Sequence, residues 1–171
     1  MAGEQYVFLD KKGRERIGSI TSVTDKFVEG ASKRADQDLF CEWKIKRNTF
    51  APTSEWKNCG GSSGTQTSKR LGDSIFPLQV GSTESWEYSG TNSNGDSWSS
   101  TRNCEVLGTA SLTVPAGTFD TYQVRCDDRW WIRDWFVRAD GVTVVSTRTR
   151  KAGSQDRNTK RELVSYTEVS S

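Results

Sequence analysis

Apolar and polar residues alternate with a period of two along much of this chain, and no window sustains the spacing of an amphipathic helix. The clearest case is the stretch from Cys104 to Cys126. Pro115-Ala116-Gly117 fits a three-residue hairpin loop, because Pro presets φ at the first loop position and Gly accepts the left-handed conformation that closes the turn. The flanking runs are then antiparallel strands. Setting Val114 opposite Thr118 puts Cys104, Val106, Ala110, Leu112, Val114, Tyr122, Val124 and Cys126 on one face, the core side. Glu105, Thr109, Ser111, Thr113, Thr121, Gln123 and Arg125 take the other face, with Leu107 and Phe119 as exceptions.

The same reading applies on either side of this hairpin. Tyr6 to Leu9 and Glu15 to Val23 form a hairpin about Lys11-Lys12-Gly13, followed by a strand at Lys26 to Glu29. Residues 30–37 read as a polar connector. From Asp38 to Lys46, Leu39, Cys41, Trp43 and Ile45 occupy the buried face of a strand, and Phe50 to Asn58 returns beside it. Residues 60–68 are rich in Gly, Ser and Thr and read as a mobile connector. Strands at Thr83 to Tyr88 and Asp96 to Val106 flank the Asn94-Gly95 turn. Beyond the central hairpin come strands at Arg129 to Arg138 and Val142 to Arg150, a polar loop at 151–160 and a last strand from Glu162 to Val169. The fold class is therefore all-β, a strongly curved antiparallel sheet or incomplete β-barrel. Residues 1–171 read as a single domain, with a softer N-terminal section at 1–72 that completes the same sheet.

Composition adds that the core is aromatic: mean hydropathy is −0.72, yet seven Trp, seven Phe and four Tyr supply apolar area in a few large side chains. The formal net charge of +2 is near balance and predicts no attraction to nucleic acid. No apolar run is long enough to span a membrane as a helix, and no signal segment precedes Tyr6. The Met1-Ala2-Gly3 start reads as an expression start on a mature chain whose leader has been removed; a natural cytosolic protein is the alternative.

Four cysteines in a strand-rich chain suit an oxidising compartment. Three pairings are possible. Cys41 with Cys59 and Cys104 with Cys126 are favoured, since the proposed strand pairs bring each couple together; four small buried thiols are the alternative. Zinc ligation needs closer cysteine pairs than this chain has.

The chain has no His, so no Ser-His-Asp, Cys-His or His-metal site can be built from it. Ser54 and Lys57 match a Ser-x-x-Lys spacing that works on a helix, whereas this stretch reads as a strand. No phosphate-binding glycine loop is present. No enzyme activity and no cofactor are expected.

One constellation stands out, Arg129-Trp130-Trp131-Ile132-Arg133-Asp134-Trp135-Phe136. As a strand it places Trp130, Ile132 and Phe136 toward the core and Arg129, Trp131, Arg133 and Trp135 on the opposite face. Two readings follow: a self-stacked cation–π ladder, or a ligand platform for a glycan ring or an anionic polymer. A basic run, Arg148, Arg150, Lys151, Arg157, Lys160 and Arg161, reads as a solvated hairpin tip or, beside that face, as an anion-attracting patch. Partners consistent with these features are an envelope glycan, an anionic lipid surface or another envelope protein.

The segment Thr113-Val114-Pro115-Ala116-Gly117-Thr118-Phe119-Asp120-Thr121-Tyr122 resembles the signature strand pair, written VPAGTF, of a group of exported bacterial proteins of unknown function. Phe76-Pro77-Leu78-Gln79-Val80-Gly81 with Trp86-Glu87-Tyr88 resembles its entry strand, Trp135-Phe136-Val137 its aromatic strand and Arg161-Glu162-Leu163-Val164-Ser165-Tyr166 its closing strand. The likeness covers residues 73–171, with Arg138-Ala139-Asp140-Gly141 one residue shorter than the group's usual step. It implies a β fold and a location in the periplasm or at the cell surface, and no active site. The function expected is non-enzymatic binding or scaffolding in the cell envelope. The alternatives are a glycan-binding module using the Arg/Trp face and a carrier of an apolar ligand in a half-open barrel.

Overall fold

A computed structural model describes residues 1–168. The chain runs as an antiparallel meander of twelve strands: β1 Gln5–Asp10, β2 Glu15–Val23, β3 Phe27–Arg34, β4 Cys41–Lys46, β5 Glu55–Cys59, β6 Ser62–Leu71, β7 Thr83–Asn92, β8 Ser97–Val114, β9 Gly117–Asp128, β10 Trp131–Val137, β11 Thr143–Arg150 and β12 Thr159–Thr167. Each strand pairs with its sequence neighbours, and β1 pairs with β12, so the curved sheet closes into a barrel rather than stopping short of one. Both disulfides have the favoured pairing: Cys41–Cys59 ties β4 to β5, and Cys104–Cys126 ties β8 to β9 at directly opposed positions.

Several elements depart from the expected ones, each for a physical reason. The connector expected at 30–37 is strand as far as Arg34, and the one expected at 60–68 is β6. These strands carry little apolar area because small residues on them lie beneath large ones on their neighbours. Conversely, Leu39 lies in the β3–β4 turn and is 67% exposed, and residues 50–54 precede β5 as a loop. The last strand ends at Thr167, and the expected terminus at Val169 falls outside the described residues.

The central hairpin is tighter than expected. Val114 pairs with Gly117 across a two-residue Pro115-Ala116 loop, and Gly117 has φ +132°, a conformation other residues adopt only with strain. A bulge between Val106 and Gly108 then shifts the register by one. Below it Val124 and Cys126 face inward; above it Phe119 and Thr121 do, with Thr121 buried. The bulge explains why Phe119 broke the alternation, and it corrects Thr121, expected on the outer face.

Glycines shape the inner wall of the N-terminal half. Tyr6 pairs with Gly18, Trp43 with Gly30, Trp56 with Gly64 and Trp98 with Gly90, and each ring occupies the space where a glycine Cβ would stand. A flat ring laid over a neighbouring glycine restores the apolar contact that the glycine lacks.

The two ends of the barrel differ. One end is plugged. Phe50 from the β4–β5 loop stacks on Phe76 at 5.7 Å and meets Trp135 at 5.4 Å, while Ile75 and Leu78 from the β6–β7 loop are buried against Val106, Val124 and Val137. The β8–β9 tip folds over as well, with Ala116 N donating to Leu163 O at 3.1 Å. The outer wall is polar, carrying Thr67, Ser89, Ser99, Thr101 and Glu105, the opposite of the apolar band of a lipid-spanning barrel.

Gly30→Ala is expected to cost about 1–3 kcal/mol, because its Cβ would collide with the Trp43 ring and sit 2.7 Å from the Ser19 carbonyl. Gly108→Ala, with nothing within 4 Å, is expected to be near neutral. Urea midpoints of the two variants measure the difference.

Candidate functional site

Strand β10 is the strand read above as carrying the ligand face. Its pairing with β9 sets Arg133 opposite Cys126 and Trp135 opposite Val124, both inward residues. Trp131, Arg133 and Trp135 therefore share one face, as expected, but that face is the inner wall and not an outer platform. Ile132, assigned above to the core side, alternates with them, whereas Phe136 does pack on buried core residues, the cluster of Val114, Val144, Val145 and Leu163. Alternation alone gives two faces without saying which is inside; the neighbouring strand decides. Trp130, also assigned to the core, lies in the β9–β10 turn at 36% exposure, and Arg129 beside it is exposed, with its guanidinium 5.0 Å from the Trp130 ring.

Trp135 packs into the plugged end. Trp131 lies at the other end, where the Arg148 guanidinium is 4.3 Å from its ring, with Arg150 at 5.7 Å and Arg133 at 6.0 Å. The basic run divides here: Arg148, Arg150 and Arg161 turn inward, while Lys151 pairs with Asp127 and Lys160 with Glu162 at 2.7 Å. Arg16 and Arg34, directly paired between β2 and β3, continue the inner wall, as does Arg102 on β8. Sequence reasoning missed Arg16, Arg34 and Arg102. Their signal is a parity shared with buried neighbours, such as Arg102 with Cys104 and Val106, and it is masked because Arg is so often a surface residue.

The carboxylates on the inward positions of the paired strands are Asp10, Glu84 and Asp128. Asp10 is held by Arg14 at 2.7 Å and by the β1–β2 turn amides. Glu84, toward the plugged end, accepts from Phe50 N at 2.5 Å. Asp128 is the hub of the arginine-rich end: it is almost fully buried, bonds Arg133, meets Arg102 at 3.2 Å and accepts from the amides of Trp130 and Trp131 at 3.2 and 3.0 Å. Arg102 also donates to Phe50 O at 3.1 Å, and burial, with Arg133 adding to it against the pull of Asp128, brings its pKa down to about 10.

Arg16, Arg148 and Arg161 have no carboxylate partner among the described residues. Burial lowers the pKa of each. Arg161 and Arg34 add to the effect at Arg16, Arg133 and Arg157 at Arg148, and Arg148 at Arg161, against a smaller pull from Tyr6 and Asp10 on Arg16 and Arg161 and from Asp128 on Arg148. Arg148 Nε is buried with no hydrogen-bond partner, and Arg16 has only a 3.4 Å contact to Ser32 Oγ. Arg161 faces inward, between Asp10 and Ser146; the surrounding wall desolvates it and so lowers its pKa, while its own surface stays open to water, so this part of the inner wall is a wet recess. Crowded, unpaired guanidinia with planar donor forks are suited to bind a phosphate, sulfate or carboxylate.

A concavity of about 880 Å³ opens beside this end, a groove across β6 to β8 lined by Thr67, Lys69, Glu87, Ser99 and Lys151 and reaching Asp128 and Arg129. Its wall is mostly hydroxyls and charges around Tyr88, which is itself buried, and Lys151 there is already paired with Asp127, so the unpaired inner arginines are the stronger candidate.

No family model and no curated protein matches this chain. Solved structures do. The hypothetical lipoprotein YmcC from Escherichia coli K12 superposes with a TM-score of 0.54 at 9% identity, over 97% of this chain and 85% of that one. This is a likeness of fold alone. A "putative lipoprotein" from Parabacteroides distasonis gives a TM-score of 0.50 at 10% identity over 98% and 96% of the two chains. A "putative exported protein with YmcC-like fold" from Bacteroides fragilis gives 0.49 at 9% identity over 98% and 97%. The chain thus shares with YmcC a barrel architecture that spans nearly its whole length.

Asp128→Asn is expected to destabilise the protein by about 3–5 kcal/mol, since it leaves Arg102 buried without a counter-charge. Asp134→Asn, which breaks a pair to an Arg125 whose side chain is 48% exposed, should cost about 1 kcal/mol or less. Chemical denaturation of both variants checks the contrast.

Proposed function

We propose that this protein is a non-enzymatic binding protein of the bacterial cell envelope, and that the arginine-lined end of its barrel holds an anion-bearing ligand. The observation that carries the reading is the unpaired inner trio of Arg16, Arg148 and Arg161. Like charges crowded in a partly buried space raise the free energy of the empty state, and an anion placed among them lowers it. The envelope location is supported by two disulfides and by fold neighbours described as lipoproteins. Membership of the exported VPAGTF group rests on the motif at 113–122. The non-enzymatic reading rests on a chain without histidine.

The other two readings have less support. Glycan stacking on Trp131 and Trp135 requires open ring faces, whereas Trp131 is covered by Arg148 and Trp135 packs on Phe50. An apolar carrier requires an empty apolar interior, whereas Phe50, Ile75, Phe76 and Leu78 fill that end.

Sodium pyrophosphate, compared with sodium chloride at matched ionic strength, is expected to raise the melting temperature of the wild-type protein by several degrees at saturating concentration. Arg161→Gln should melt at or above the wild type in anion-free buffer, because one repelling charge is gone, and should lose most of the pyrophosphate shift. An unchanged shift in Arg161→Gln and Arg148→Gln alike would remove the site.

A further inference from the structure

We infer that the arginine-lined end is a docking face for an anionic phospholipid surface, with the barrel standing end-on. The inference rests on the anion-binding reading above in one respect: the anion that enters among Arg16, Arg148 and Arg161 is a lipid headgroup phosphate. The turns at this end are residues 11–14, 35–40, 60–61, 93–96, 129–130 and 151–158, between β1–β2, β3–β4, β5–β6, β7–β8, β9–β10 and β11–β12. Of the large exposed apolar side chains, Leu39 (67%), Phe40 (41%) and Trp130 (36%) belong to this rim.

Singly exposed apolar residues are ordinary. Their arrangement here is not. Leu39 and Phe40 sit between β3 and β4 and Trp130 between β9 and β10, half-way round a ring of twelve strands, so they mark opposite points of the rim, roughly 20–25 Å apart. Each rim aromatic carries a cation over its ring: Lys33 lies 5.0 Å from Phe40, and Arg129 lies 5.0 Å from Trp130. Aromatic rings at headgroup depth with basic side chains beside them are the usual anchors of a protein lying on a bilayer.

Charge points the same way. On the rim, Asp36 is matched by Arg34 and Asp127 by Lys151. That leaves Asp38, Asp96 and Asp156 against Lys11, Lys12, Arg129 and Arg157, and the inner trio adds further positive charge behind them. A folded protein partner would have to match two separated apolar points across a charged hollow. A fluid anionic bilayer meets both points and supplies phosphates to the hollow between them. The polar outer wall limits the contact to the rim, so the barrel rests on the surface and does not insert.

The test is sedimentation of the disulfide-bonded protein with large vesicles of pure phosphatidylcholine or with about a quarter phosphatidylglycerol. Binding is expected only to the anionic vesicles and should weaken as sodium chloride is raised. Leu39→Ser combined with Phe40→Ser, and separately Trp130→Ser, should each lower vesicle binding about tenfold while leaving both the melting temperature and the pyrophosphate shift unchanged. Wild-type protein that shifts with pyrophosphate but never sediments with anionic vesicles at low salt would overturn the docking inference, leave the anion site standing and turn attention to a soluble acidic polymer. Vesicle binding that the rim substitutions do not reduce would also overturn it. Neither shift nor sedimentation would remove both.

Discussion

Each guanidinium turned into this barrel must be answered by a carboxylate, a carbonyl, a ring face or water, and at the arginine-rich end the buried carboxylate that answers is Asp128. It holds Arg102 and Arg133 from two different strands and the two amides that begin β10, so one side chain fixes both the charge balance and the entry of that strand. Its oxygens are then fully engaged, so Arg148 feels its charge without a bond to it, and Arg16 and Arg161, further round the wall, have no bond to it either. The rest of the molecule is arranged about this imbalance: apolar filling at one end, unmatched cations at the other.

How so polar a chain fills a closed barrel is answered by pairing large rings with no side chain at all. Tyr6 over Gly18, Trp43 over Gly30, Trp56 over Gly64 and Trp98 over Gly90 let strands with little apolar area of their own approach closely and still exclude water. Where β5 is too short to cover β6, Lys46 Nζ reaches the Ser68 carbonyl at 2.5 Å and Gln66 Nε2 the Thr53 carbonyl at 2.7 Å, so the ladder is continued by side chains. Trp86, between Lys46 at 4.8 Å and Arg70 at 5.1 Å, shows the same economy: a ring supplies both packing and a surface for a cation.

An anion among the unmatched arginines and a lipid surface against the rim are two scales of one electrostatic argument. The first concerns guanidinia on one stretch of the inner wall, where their charges repel one another; the second concerns a whole end of the molecule, where exposed Phe40 and Trp130 carry cations on their faces.

The sequence by itself determined that the chain is built of antiparallel strands, that Cys104 and Cys126 face the same way on one hairpin, and that Trp131, Arg133 and Trp135 share a face. These follow from period-two alternation, which is a property of each strand alone. Which face lies inside is a property of the neighbouring strand, and only the register of β10 on Val124 and Cys126 turned the Arg/Trp face inward. The Ser/Thr/Gly run of β6 read as a connector for the same reason: its apolar partners, Trp56 and Trp98, are on other strands. Closure of β1 on β12, the bulge at Leu107 and the meeting of Arg16, Arg148 and Arg161 from three strands were likewise decided by the tertiary structure, because each depends on residues far apart in the chain that only the closed ring brings side by side.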